Sequence, residues 1–432
     1  MVDDGIGLIS RTRARGNVWH PWSPVRREGR MTAVRGEGAR VRDGEGREYL
    51  DAVSAALNSS VGYGETELVE AAARQMRELH HYDLSECSHE PAERLAERLA
   101  GLLPGDLDRV LFVNSGSEAA EAAVRVALDH WRNAGSPRRQ VVTFARGYHG
   151  TTALAQHLSG LAVTDTGFAP LFPVSRVDWP AGAPGAGDAE ELLARFAAVV
   201  DESTAAVVVE PLINVGGGIM LPPGFLRGLR ALCDRTGALL VLDEVFTGFG
   251  RTGRMFGFDH DGVVPDVVML SKGISAGYAP LGAVAVRGWL HDSFAGDPFI
   301  GGLRYGHTTG GHAVACAVAL RVLDLLADRD LVGNAARRGE QLLARMRPAL
   351  GVPPVTDVRG LGLVVVVELP NADLARRVLL AAREEGLLLK CQQNAVMAVP
   401  PLNITEDEVE ELATRWLRAL HAVDRESQGD AG

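Results

Sequence analysis

The chain has 432 residues, 46% of them hydrophobic, so it can bury a large core as two domains or as one large domain with a smaller appendage. A formal net charge of -11 argues against nucleic acid as a partner and against a polybasic membrane anchor. Four cysteines, Cys87, Cys233, Cys316 and Cys391, stand far apart with no Cys-x-x-Cys pair, and read as isolated buried thiols of a reducing compartment rather than a disulfide or zinc framework. The start lacks a basic-then-apolar signal pattern, and the longest apolar run, 361–369, is broken by Gly362 and Glu368. The expected location is the cytoplasm.

Residues 1 to about 16 are polar and arginine-rich, and are expected to be mobile or to pack as an arm on another subunit. Trp19-His-Pro-Trp22-Ser-Pro is a stiff aromatic segment, suited to a surface turn or to the wall of a pocket or interface. Turn signals at Gly36-Glu-Gly38 and Asp43-Gly44-Glu-Gly46 mark a hairpin region. Helical spacing covers 65–79 and 91–102, with Pro91 as a helix-starting residue. The tandem His80-His81 lacks a third ligand at helical spacing, which disfavours a metal site.

From Arg109 the period changes. Strand signals at 109–113, 140–144, 205–209, 238–242 and 266–270 alternate with helical stretches, including 118–131. That alternation predicts a mainly parallel sheet with helices on both faces. A Pro/Gly-rich surface loop is expected at 182–187, and a long helix from His312 to about Ala327. The remainder, 331–423, reads as helices around a few strands such as 363–369, followed by a polar stretch expected to be disordered.

All but two of the 44 basic residues are arginine; the lysines are Lys272 and Lys390. Arginine carries charge as well as lysine does, but it cannot lose a proton near neutral pH or form an imine. A lysine retained after the apolar run Val267-Val-Met-Leu270 therefore points to a reactive amine, placed where open α/β sheets bind ligands. Three other strand ends carry chemistry. Asn114-Ser115-Gly116-Ser117-Glu118 offers an anion site at a helix N-terminus, although Ser-Gly-Ser is also an ordinary N-cap turn. Gly147-Tyr148-His149-Gly150 sets an aromatic plate between glycines. Leu239-Leu-Val-Leu242-Asp243-Glu244 ends a dry strand in a carboxylate, which calls for a cationic partner such as a protonated pyridine nitrogen.

The run Asp243-Glu-Val-Phe-Thr-Gly-Phe-Gly-Arg-Thr-Gly253, followed by Ser271-Lys272-Gly, resembles the class-III pyridoxal-phosphate aminotransferases. Nearly the whole chain, from about Trp19 onward, shares the resemblance. It implies an α/β fold of type I: a mainly parallel seven-stranded sheet covered by helices, with a smaller α+β domain built from the N-terminal segment and the C-terminal part. The implied division is 1–60 for the N-terminal arm and part of the small domain, 61–320 for the cofactor domain and 321–432 for the C-terminal small domain. Lys272 is then the Schiff-base lysine and proton shuttle, and Asp243 the partner of the pyridinium nitrogen. Ser115, Gly116 and Ser117 hold the phosphate, Tyr148 and Val245 flank the ring, and Glu210 lies beside it. Thr308, in Gly306-His-Thr308-Thr-Gly-Gly, reaches the phosphate of a neighbouring subunit, which implies a homodimer with active sites at the interface.

Departures from the family pattern bear on substrate. Val215 stands where ornithine- and γ-aminobutyrate-handling members often carry a glutamate, and Met397 where they carry an arginine for an α-carboxylate. Trp19-His-Pro-Trp22 and Val61-Gly-Tyr-Gly64 are closer to ω-amine transaminases and diaminopelargonate synthases. Lys390 falls about where the ω-amine enzymes place a mobile arginine, and is read either as a carboxylate contact or as a solvated surface charge. Leu57 replaces a frequent tryptophan, which implies a less bulky pocket wall, and Trp22 is a candidate substrate contact. The expected activity is transfer of nitrogen from an amino donor to a ketone or aldehyde, in specialised-metabolite biosynthesis, through ping-pong half-reactions. An aminomutase or epimerase on the same scaffold is the alternative. A non-catalytic regulator is disfavoured by the lack of a basic patch.

Overall fold

A computed structural model describes residues 17–25, 30–180 and 188–429. The arginine-rich start and the expected 182–187 loop lie outside the described residues.

Seven strands form the central sheet in the order Arg109–Val113, Gly282–Val286, Val267–Leu270, Leu239–Asp243, Thr204–Val209, Gln140–Phe144 and Val174–Val177. Six point the same way; Gly282–Val286 runs against both its neighbours. Its reversal follows from the short connection 271–281, which holds no crossover α-helix. Thr204–Val209 and Leu239–Asp243 are buried at every position, because helices cover both faces of the sheet. Periodicity finds five of these strands and passes over two. Val174–Val177 is a half-exposed edge strand containing Ser175 and Arg176, and Gly282–Val286 is built of small residues with little β signal.

Gly116–Asn133 packs on the sheet through a face of Ala119, Ala120, Ala123, Val124 and Ala127, whose small side chains allow close approach. Ala313–Asp328 is buried on nearly all sides, as its almost uniformly apolar sequence requires, and lies against Thr66–Glu78 and Glu90–Leu102.

A second, antiparallel sheet joins Asp357–Gly360, Val365–Glu368, Ala395–Ala398 and Lys390–Gln392. Helices Leu331–Met346, Ala372–Glu384 and Glu406–Gly429 accompany it. The N-terminal meander Ala33–Glu37, Arg40–Asp43 and Glu48–Asp51 gains a parallel fourth strand, Leu387–Leu388, so the two ends of the chain share one small α+β unit. Arg359, buried, ties this unit to the loop at 217–218, beyond the strand Thr204–Val209. It donates to the carbonyls of Gly218 at 2.8 Å and Gly217 at 2.7 Å, and pairs with Asp357 at 2.6 Å and Glu368 at 2.5 Å.

Two expectations are corrected. Of the polar stretch after Val423, the described residues 424–429 are not irregular but continue the helix Glu406–Gly429, which Thr405 and Glu408 start with a reciprocal cap. Of the four cysteines only Cys233 and Cys316 are buried; Cys87 is exposed on the connection between two helices, and Cys391 is half-buried on a short strand. None is paired. Among the described residues no helix is long and apolar enough to cross a membrane, and no cluster of His, Cys, Asp and Glu could hold a metal.

Candidate active site

A cavity of about 560 Å³ opens at the carboxyl ends of the parallel strands. Residues at or shortly after the ends of five strands reach it, because parallel pairing in register brings those ends to one edge of the sheet. Ser115 to Ser117 follow the first strand, Tyr148 follows Gln140–Phe144, and Glu210 follows Thr204–Val209. Asp243 ends its own strand, and Lys272 follows Val267–Leu270.

Asp243 is 5% exposed, and its carboxylate is held on both oxygens. Oδ1 accepts the N–H of Val245 at 3.0 Å, and Oδ2 lies 2.7 Å from His149 Nδ1. His149 Nε2 in turn lies 3.1 Å from the hydroxyl of Thr143, so a buried chain runs Thr143–His149–Asp243. Burial pushes the His149 imidazole down, but the hydrogen bond and charge of Asp243 outweigh it and hold it above its ordinary value. Glu210 accepts N–H bonds from Tyr148 at 3.1 Å and Asn214 at 3.1 Å. Burial, with the charge of Asp243 adding to it, pushes the Glu210 carboxyl up to about 7.

Lys272 begins a 3-10 turn with φ of 44°, a left-handed value for a residue with a Cβ that costs roughly 1–2 kcal/mol. Such strain at a cavity floor is characteristic of functional positions. Its Nζ lies 5.7 Å from the centroid of the Phe246 ring. Burial lowers the ammonium pKa, the carboxylates of Asp243 and Glu210 oppose this, and Lys390 adds to the lowering.

Three features fit pyridoxal phosphate. The first is an anion cradle. Ser115 caps Gly116–Asn133 by accepting the Glu118 N–H at 3.2 Å, while the N–H groups of Gly116 and Ser117 have no intrahelical acceptor. The cradle is close-built: a Cβ on Gly116 would meet Val245 Cγ1 at 2.8 Å, and one on Gly150 would meet Ser117 Oγ at 2.5 Å. The second is the buried carboxylate of Asp243, whose side-chain partner among the described residues is His149, and which is suited to a protonated ring nitrogen. The third is a lysine whose amine is shifted toward its neutral form beside these groups.

The cavity gathers Trp22, Leu57, Ser115, Gly116, Ser117, Tyr148, Glu210, Asp243, Val245, Lys272 and Lys390 from the sequence-predicted set. Thr308 stands apart: it is exposed, outside the cavity of its own chain, and its carbonyl lies 2.8 Å from His81 Nε2. Trp22 is 60% exposed at the mouth, and Leu57 is 7% exposed. Sequence reasoning quoted His149 without giving it a role, since its partner lies 94 residues away across the sheet. It also missed Phe246 and Asn214. The latter lines the cavity at 2% exposure with its Oδ1 unpartnered among the described residues.

Sheet, strand-end constellation and lysine together define a pyridoxal-phosphate enzyme of fold type I. Residues 24–420 match the family model for aminotransferase class-III, and the chain belongs to that family. It is 34% identical over 437 residues to the adenosylmethionine-8-amino-7-oxononanoate aminotransferase of Geobacter sulfurreducens, covering 95% of this chain and 96% of that one. The (S)-enantioselective omega-transaminase of Thermomicrobium roseum superposes with a TM-score of 0.88 at 35% identity, over 94% of this chain and 96% of the other. The omega transaminase of Pseudomonas jessenii, solved in complex with PMP, gives a TM-score of 0.88 at 32% identity, over 94% and 96%. The protein is a pyridoxal-phosphate-dependent transaminase that acts on an amino donor and a carbonyl acceptor.

Proposed function

We propose that this transaminase serves a ketone or aldehyde whose carbonyl need not adjoin a carboxylate, within specialised-metabolite biosynthesis. One observation carries the reading: no arginine is among the described residues that line the cavity. Met397, where relatives carry the α-carboxylate arginine, is fully buried with Leu57, Phe246 and Val366. Without a guanidinium fork the site lacks bidentate grip on an α-carboxylate. Single-turnover assays test this: simple amines without a carboxylate should convert the cofactor to its amine form and release the carbonyl product. If only α-amino acids do so, the reading is wrong; if donor alone regenerates the starting spectrum without product, the aminomutase or epimerase alternative takes its place.

Bound in the cavity, pyridoxal phosphate supplies the aldehyde that takes up the amino group and a ring that draws electrons from the donor carbon. Lys272 Nζ would hold the cofactor's aldehyde and would move the proton at the donor carbon, a task that its lowered pKa suits. Asp243, steadied by His149, keeps the proton on the ring nitrogen. Ser115, Gly116 and Ser117, at the helix N-terminus, would hold the phosphate, and Tyr148, Val245 and Glu210, which line the same cavity, would hold the ring.

Lys390 lies on the strand Lys390–Gln392 at the cavity wall, without an ion pair among the described residues. In this reading it meets a carboxylate at the far end of a substrate or co-substrate as a point charge. Lys390→Ala should raise KM for a carboxylate-bearing substrate by roughly tenfold or more, the worth of one charged hydrogen bond. A neutral amine should be unaffected; equal losses for both would count against the assignment.

The exposed Thr308 supports a homodimer in which it completes the phosphate site of the partner subunit. Light scattering of the active holoenzyme should give twice the chain mass, and a fully active monomer would refute it. The division into 1–60, 61–320 and 321–432 belongs to the same reading, as does a reducing, cytoplasmic setting, which four unpaired cysteines suit.

A further inference from the structure

The tandem His80-His81 meets His89 and His312 in the fold, around the loop 306–311 that carries Thr308. Two of these rings hold the loop. His81 Nε2 lies 2.8 Å from the Thr308 carbonyl, and His89 Nε2 lies 2.9 Å from the Gly311 carbonyl. A carbonyl only accepts, so each Nε2 carries the proton and donates, which leaves the other nitrogen of each ring bare. His89 Nδ1 accepts the Ala92 N–H at 3.2 Å and so caps the helix Glu90–Leu102. His81 Nδ1 is buried with no hydrogen-bond partner among the described residues. The loop also touches the phosphate cradle: the Thr309 hydroxyl donates to Asn114 Oδ1 at 3.0 Å, one residue before Ser115. It is closely packed against the connection 79–89, since a Cβ on Gly311 would collide with Leu84.

An added proton is poorly received here. On His81 it would sit at the buried Nδ1 with no acceptor, and on His89 it would break the capping bond. His312 stacks on His81, with ring centroids 5.3 Å apart and planes within 7°, so two cations would lie face to face. It also stands at the start of Ala313–Asp328, where the helix dipole is positive and the first turn holds no acid. His80 faces His312 from the connection 79–89. Asp83 faces His81 and Glu93 faces His89, and both favour charge on the rings. His307, on the loop itself, is turned to the Tyr305 hydroxyl at 3.0 Å and to Glu118 at 3.9 Å. Burial wins: it holds His89 and His312 below the ordinary histidine value, and the neighbouring imidazoles lower them further. A lowered value in the held state means that the loop is fully held above about pH 6.5. The hold weakens as pH falls from there through the lowered values, because a loosened loop binds more protons.

We propose that His81 and His89 are positioning residues whose neutral rings hold the loop 306–311, and that protonation of their cluster with His312 in mild acid loosens the loop and weakens the hold on the cofactor phosphate. The inference rests on the reading of Thr308 as a phosphate contact for the partner subunit, since only then does the position of this loop bear on cofactor affinity.

The test follows release of pyridoxal phosphate from diluted holoenzymes at about pH 8 and about pH 5.5, for wild type, His312→Gln, and His81→Gln combined with His312→Gln. Glutamine takes up no proton and still offers an N–H to the Thr308 carbonyl. The ratio of the wild-type dissociation constant to that of the double variant should rise about three- to tenfold from the higher pH to the lower, the worth of one neutral hydrogen bond. Comparing proteins at one pH cancels the cofactor's own titration, and comparing ratios cancels any uniform loss from an imperfect fit of glutamine. His312→Gln alone should give part of the same rise, which keeps the test open if the double variant does not fold. Thr308→Ala at the higher pH separates the two readings. A dissociation constant unchanged by Thr308→Ala would overturn the phosphate reading of the loop and this inference with it. A constant raised by Thr308→Ala, beside ratios that do not move with pH, would overturn this inference alone.

Discussion

Replacing Lys272 with alanine should abolish steady turnover, with a loss of at least about 10⁴-fold, because it removes both the anchoring amine and a proton transfer that alone contributes roughly 10²–10⁴. The visible absorbance of the lysine-bound cofactor should vanish, while the circular dichroism spectrum should not change. The physical ground is the environment of Nζ: burial lowers its pKa, two nearby carboxylates limit the fall, and Lys390 deepens it. Arginine at this position would keep its charge and fail equally, since a guanidinium neither loses its proton nor forms an imine. Small primary amines added to Lys272→Ala should restore a fraction of the proton transfer. Turnover that persists without added amine would show that another residue carries the chemistry. Borohydride reduction of wild type followed by peptide mapping gives the complementary check, with the label expected on Lys272.

Replacing Asp243 with asparagine should lower kcat by roughly a hundred- to a few thousandfold, which corresponds to breaking a buried ion pair worth about 3–5 kcal/mol. The side chain keeps its shape and can still meet His149, so the loss isolates charge from packing. Two readouts separate this from structural damage. In the protein without cofactor, the His149 imidazole should fall below its ordinary value, because burial is no longer outweighed by Asp243, and a histidine NMR titration reads that shift directly. With cofactor, the dissociation constant for pyridoxal phosphate should rise while the circular dichroism spectrum of the unliganded protein stays that of wild type. A variant of normal kcat would remove Asp243 from the site.

His149 illustrates why part of the site escapes a linear reading. The motif Gly147-Tyr148-His149-Gly150 marks a strand end, but nothing in it says that the imidazole turns inward to a carboxylate 94 residues on. The pairing exists because Gln140–Phe144 and Leu239–Asp243 flank Thr204–Val209 in one parallel sheet, which brings their carboxyl ends side by side. Thr308 and the cavity make the converse point. The chain's own fold leaves it outside the site, and only the family resemblance suggests where it acts. The corrected cysteines belong here too: isolation along the chain does not determine exposure, which depends on whether a loop or a buried helix carries the thiol.

The order of residues along the chain determined the alternation of strand and helix, the scarcity of lysine that singled out Lys272, and the carboxylate and glycine-rich turns at strand ends. Those are local properties, set by side-chain period, backbone freedom and the acid–base chemistry of one residue type. Tertiary structure alone decided that five strand ends meet at one cavity, that Asp243 is steadied by His149, and that His81 and His89 hold the loop of Thr308. Each of these depends on register and close packing between segments far apart in sequence, and such contacts leave no periodic trace in the chain that makes them.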